Sequence, residues 1–232
     1  MLSIDSDLQA SLSKTLSALD IGLHISPANR LQEWKVYNPA LENSTHRHLS
    51  HLVGWYPGNS LSSYQSAYTN RTIATAIRNS LLARGPGIAD SNAGWEKVWR
   101  AACWARLNDS DTAYAELRLA VRENMAGNLL SMYDGKREPF QIDANYGFGG
   151  AVLAMLVVDL ARALGDHGIR TVVLGPAIPG EWARGSVEGL RIRGGGVVDF
   201  SWDLEGVVDW AVWVKKGVEE VRVVNKRDEV LL

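Results

Sequence analysis

The chain has 232 residues, 46% hydrophobic and 22% charged, a balance that sustains a buried core and excludes a disordered chain. Its 24 Lys and Arg against 26 Asp and Glu leave a net charge of -2. No basic run exists to grip nucleic acid, and no apolar stretch is long enough to span a membrane. The one cysteine, Cys103, excludes an internal disulfide and a cysteine-based zinc site. Nine Trp stand against three Phe, and an indole's flat apolar face with its single N–H suits stacking on sugar rings. Residues 1–7 lack the basic start and apolar core of a signal peptide, whereas Asn43-Ser-Thr, Asn70-Arg-Thr and Asn108-Asp-Ser are glycosylation sequons that lean weakly toward secretion.

In chain order, Leu8, Leu12, Leu16 and Leu19 give residues 5–19 a helical period. Ser44 or Thr45 can cap a helix carrying His48, Leu49, Leu52 and Val53, closed by Pro57-Gly58. Residues 64–83 read as a long helix with a buried stripe of Ile73, Ala76, Ile77, Leu81 and Leu82, ended by Arg84-Gly85-Pro86-Gly87. Helices are expected over 95–107 and, behind an Asp109–Asp111 cap, over 112–124. A helical turn is expected at 128–132, and residues 146–164 form an apolar helix buried on most sides. The period then changes. Residues 170–174, 189–193, 196–202, 207–214 and 218–224 read as strands. In the third of these, Val198, Phe200, Trp202 and Leu204 alternate with Val197, Asp199, Ser201 and Asp203. The fold class is therefore mostly α with a C-terminal β region, divided into residues 1–168 and 169–232. Roughly 60 residues of β structure are few for an independent core.

Four segments carry polar, aromatic and glycine residues that a plain helical core does not need: Leu31-Gln32-Glu33-Trp34, His46-Arg47-His48-Leu49-Ser50-His51, Gly94-Trp95 with Trp99, and Pro139 to Gly147. Asp143, just ahead of an apolar helix, is either that helix's N-cap or a carboxylate kept ionised by the helix dipole, as a general base requires. Gln141 and Asn145 stand ready to orient it or its water. The histidine triplet admits a metal, neutral imidazoles bonding hydroxyls, or structural rings; His48 and His51, three apart, would share a helix face. Glu33 beside Trp34 is either an acid raised by an indole or a plain surface glutamate. Trp95 and Trp99 are a packing stripe or the wall of a sugar subsite.

Taken in order, Leu-Gln-Glu-Trp, His-Arg-His-Leu-Ser-His-Leu, Gly-Trp-x-x-x-Trp with Trp-Ala-Arg-Leu, Asn128-Leu, Pro-Phe-Gln-Ile-Asp-x-Asn-x-Gly, Leu174-Gly-Pro-Ala-Ile-Pro-x-x-Trp182 and Gly185-x-Val-x-Gly-Leu-x-x-Arg-Gly resemble glycoside hydrolase family 95, the inverting α-L-fucosidases. The similarity runs from about Ala28 to Trp202. It implies a partial (α/α)6 barrel followed by a small antiparallel β-domain, preceded in the family by a β domain and the first half of the barrel. It implies hydrolysis of terminal α-linked L-fucose by single displacement: one carboxyl protonates the leaving oxygen and another activates water on the opposite face.

On this resemblance Asp143 is the catalytic base-side carboxylate. The family's general acid, a Glu, and the asparagines that help the Asp143 carboxylate activate water align ahead of Met1. Glu33, Trp34, His46, His48, Trp95 and Asn145 are substrate-binding, with His48 the residue for fucose hydroxyls. The family's glycine after the aspartate is Ala144 here, which asks for a negative φ, and its phenylalanine is Tyr146. No cofactor and no metal are needed. The implied partner is a fucosylated glycan, with no nucleic acid and no membrane, and the implied location is extracellular. The alternative reading is a non-catalytic carbohydrate-binding or structural remnant of such an enzyme. A metal-dependent hydrolase built on the histidines is a third.

Overall fold

The computed structural model describes residues 5–20, 22–61, 70–133, 138–161 and 168–232. Helices come first: α1 (Ser6–Ala18), α2 (Arg71–Arg84), α3 (Gly94–Arg106), α4 (Ser110–Asn124) and α5 (Asp143–Leu156). Strands follow: β1 (Val157–Asp159), β2 (Arg170–Leu174), β3 (Gly185–Arg191), β4 (Val197–Trp202), β5 (Val208–Lys215) and β6 (Val221–Asn225). The mostly helical chain with a C-terminal β region is thus as the sequence predicts.

Local chemistry explains most boundaries. Asn70 caps α2 by accepting from the amides of Thr72 and Ile73 at 3.0 and 3.3 Å. Gly85, at φ 70°, closes it. Asp109 caps α4 through the Thr112 amide. The Glu96 side chain reaches back to the Ala93 amide at the start of α3. Ile73, Ala76, Ile77 and Leu81 of α2 are buried as expected, whereas Leu82 faces solvent. The expected N-terminal part of α2, residues 64–69, lies outside the described residues.

α3 sits at the centre, packed on α4 and α5, and buries residues on nearly every side. Its core with α2 and α5 includes Trp55, Ile77, Val98, Ala101, Cys103, Ala151 and Met155. Two glycines let α3 and α5 close. A Cβ on Gly94 would stand 2.9 Å from that of Ala144, and one on Gly147 would stand 2.5 Å from Val98 Cγ2. Contacts that short force movement in a packed core.

The β region holds two three-stranded sheets. β3, β4 and β5 pair antiparallel. β2 pairs antiparallel with β1 but parallel with β6, so the region is not wholly antiparallel. β4 shows the alternation read from its sequence, with Val198, Phe200 and Trp202 inward, although Leu204 beyond it is exposed. Trp182 packs against both the helical and the β cores.

Three expectations fail. The segment around His48 is an irregular loop with a short 3-10 turn at Ser50–Leu52, not a helix. Residues 128–132 form no helical turn; Met125 bridges Ser131 and Met132 bridges Pro139 around a positive φ at Leu129. The apolar helix ends at Leu156, where the chain becomes β1, and its outer face carries exposed Tyr146 and Leu153. An unbroken apolar run has no period to separate buried helix from strand.

Charges are also buried between α3 and α4. Lys97 and Arg100 are fully buried, and Glu116 is nearly so with Oε2 unpartnered. Lys97 Nζ donates to the carbonyls of Gly87 and Ala93 and to Asn92 Oδ1. Burial pushes the Glu116 carboxyl up to about 8. A raised folded value means that this group's stabilisation is complete below its unfolded value of about 4.3 and drains as pH rises toward 8. Lys97, held at about 8 by burial, changes its own contribution only above that pH. Glu116→Gln is expected to flatten the decline between pH 5 and 8 and to stabilise the chain by about 1–2 kcal/mol at pH 8, read by urea unfolding. An unchanged slope would contradict it.

Candidate active site

Asp143 is the first residue of α5, and its side chain caps nothing; the position ahead of the helix is Ile142. The capping alternative therefore does not apply. Its carboxylate is exposed and accepts no hydrogen bond among the described residues. Ala144 follows in helical conformation, so the family's glycine is replaced without strain; the positive φ falls instead on Gln141, at 21°.

The Gly94–Ala144 approach brings the start of α3 beside the start of α5. Together with the 46–48 loop and the rings of Tyr133 and Phe140 they enclose an open cleft of about 480 Å³. His48, Trp95, Trp99, Gln141 and Asp143 line it, joined by Arg47, Ser91, Tyr133 and Phe140. Residues 134–137 are outside the described residues. Trp99 also donates its indole N–H to the Tyr56 carbonyl at 2.9 Å, so it packs and lines the cleft at once. His48 tilts against Trp95, ring centroids 4.9 Å apart. Partial desolvation, with His46 and Arg47 nearby, holds His48 below the ordinary imidazole value. It is therefore neutral at pH 7 and offers one donor and one acceptor, as a hydroxyl requires.

His46 stacks on His48 at 5.2 Å but stands behind it, off the cleft wall. The triplet does not converge. His51, with a side chain only 4% exposed, turns to the other side and lies 3.4 Å from Glu33 Oε1. Because 46–51 is not a helix, the shared face expected for His48 and His51 does not form.

Glu33 and Trp34 lie elsewhere. Both line a separate cavity of about 40 Å³. Glu33 binds the Arg84 guanidinium, and the neighbouring His51 ring, followed by Arg84, holds its carboxyl below the ordinary glutamate value. That is opposite to an acid raised by an indole. Trp34 is 66% exposed at that cavity's rim. Asn145 does not face Asp143 either. Its Oδ1 accepts from the Ser131 amide at 3.0 Å and its Nδ2 donates to the Leu129 carbonyl at 2.6 Å, which ties the 129–131 turn to α5. Of the seven residues singled out, the cleft thus gathers Asp143, His48 and Trp95. Sequence reasoning missed Arg47, Ser91 and Tyr133. Arg47 carried a signal, since it sits between two histidines; the other two carried none.

Helices thus lead into a small β module, and among the described residues the cleft is lined by two indoles and one carboxylate. The chain belongs to glycoside hydrolase family 95. Residues 1–156 match the glycosyl hydrolase family 95 catalytic domain, and residues 168–230 match the glycoside hydrolase family 95 C-terminal domain. The chain is 54% identical over 237 residues to the probable alpha-fucosidase A of Aspergillus oryzae, covering 98% of this chain and 32% of that protein. It is 50% identical to the probable alpha-fucosidase A of Aspergillus niger over 88% of this chain and 26% of that one. Alpha-L-fucosidase 2 of Arabidopsis thaliana is 36% identical over 78% of this chain and 20% of its own length. The chain thus spans about a third or less of the length of these relatives.

Proposed function

We propose that this chain carries part of the active site of an α-L-fucosidase-type glycoside hydrolase, in which Asp143 activates water for single-displacement attack on a terminal α-linked L-fucose. The observation that supports this reading most is the exposed Asp143 carboxylate lining the same cleft as His48 and Trp95. Inverting hydrolysis needs two carboxyl groups roughly 6.5–9.5 Å apart. Among the described residues that line the cleft, Asp143 is the one carboxylate. The proposal therefore assigns the acid to the length of the relatives that this chain does not cover, with this chain as a truncated form. The exposed leucine stripe of α1 and the exposed Tyr146 and Leu153 of α5 agree with a partial (α/α)6 barrel whose remaining helices would cover them. The division at 168/169 is supported by the two matched spans, although β1 precedes it and pairs with β2. Substrate contacts are assigned to His48 and Trp95, with His46 behind them. Glu33, Trp34 and Asn145 support the surrounding loops on this reading. An extracellular location fits the exposed sequon residues Asn43, Asn70 and Asn108, and no helix among the described residues is long and apolar enough to cross a membrane.

The test uses α-L-fucosyl fluoride, whose leaving group needs no proton. The chain is expected to release β-L-fucose first, seen by proton NMR, and to leave alkyl α-L-fucosides intact. Release of the α anomer would contradict single displacement. L-fucose binding without release from the fluoride would favour the non-catalytic remnant.

A further inference from the structure

Residues 46–48 run along the cleft as an irregular loop whose main chain is gripped from two sides. Arg100 of α3 donates to the carbonyls of Arg47 and His46 at 3.2 and 3.5 Å. Asp90, in the turn ahead of α3, accepts from the Arg47 amide at 3.0 Å and from its guanidinium at 3.1 Å. The guanidinium of Arg47 is thereby committed to Asp90. The His48 amide donates to His46 Nδ1 at 3.2 Å. A ring nitrogen that accepts carries no proton, so neutral His46 is held as its Nε2–H tautomer. That Nε2 stands 4.0 Å from Asp90 Oδ2, an electrostatic contact rather than a hydrogen bond. Asp90, His46, His48 and Trp95 thus form one row, and only the last two line the cleft.

We propose that Asp90 is a positioning residue of this cleft: through the Arg47 amide and the Nε2–H of His46 it fixes the ring stack in which His48 meets a sugar hydroxyl. The proposal rests on the cleft being a sugar site, but half of its test does not. Its logic is that of outer partners which fix the tautomer and orientation of a working imidazole. The Arg47 amide and guanidinium hold the Asp90 carboxyl below its ordinary value, so the charge facing His46 is present at neutral pH.

The experiment takes the full chain labelled with nitrogen-15 and reads imidazole tautomers from long-range proton–nitrogen spectra. The same samples are titrated with L-fucose. The wild-type chain is expected to hold His46 in one tautomer. Asp90→Ala is expected to populate both tautomers and to weaken L-fucose binding by on the order of tenfold. Asp90→Asn keeps an oxygen for the Arg47 amide. It is expected to hold the loop but raise the minor His46 tautomer severalfold, and it decides the matter if the alanine variant does not fold. A single, unchanged His46 tautomer in the folded variants overturns the proposal. A wild-type chain that shows the tautomer effect but binds no L-fucose supports Asp90 as the positioner of His46 and overturns the sugar reading instead.

Discussion

Asp143→Asn is expected to lower release of fucose from α-L-fucosyl fluoride by about 10²–10⁴-fold, the range for losing a positioned base. The amide keeps the size and hydrogen-bonding reach of the carboxylate but accepts no proton from water. Among the described residues Asp143 makes no side-chain hydrogen bond and caps nothing, so the substitution is expected to leave the unfolding midpoint unchanged. Rate and stability therefore separate. A variant that keeps more than a third of the wild-type rate would remove Asp143 from the chemistry. One that loses rate and fold together would make it structural.

The second large effect concerns Arg100. Its side chain is fully buried and donates to the carbonyls of Gly85, Glu96, Arg47 and His46. It also lies 3.6 Å from the Glu96 carboxylate. Arg100→Met removes the cation while its acceptors stay buried, and breaking such a set on one side costs about 3–5 kcal/mol. For a chain of this size that is a fall of roughly 10 °C in the thermal midpoint. Arg100→Lys is expected to recover little, since one ammonium does not reach acceptors spread around a planar fork. The cleft should suffer with the fold, because two of the four carbonyls belong to the loop that carries His48. A loss below about 1 kcal/mol would show that water replaces these bonds readily.

These two residues also mark what the sequence made legible. The strand β4 was readable because one of its faces is buried and the other wet, so the period of two survives in the letters. The helix α3 was readable from its apolar period and from Gly94 ahead of Trp95. Asp143 stood out because a carboxylate before an apolar helix is conspicuous whichever role it takes. The loop at 46–51 was not readable. His48, Leu49, Leu52 and Val53 have helical spacing, yet Arg100 and Asp90 claim the backbone groups a helix would use. Those partners lie more than 40 positions along the chain, and no local propensity encodes them. The separation of His51 from His48, and the pairing of Glu33 with Arg84, follow from that loop and were hidden with it. The end of α5 was hidden for another reason. Residues 151–158 are apolar throughout, and only the pairing of Val157–Asp159 with β2 makes the last of them a strand.

The most direct test of the account is a crystal structure of the chain soaked with L-fucose. The sugar is expected in the cleft between α3 and α5, with a hydroxyl on the His48 imidazole, a ring face on Trp95 and its anomeric carbon turned toward Asp143. A sugar seated instead in the Glu33–Arg84 cavity, or one that leaves Asp143 in bulk solvent, would contradict it.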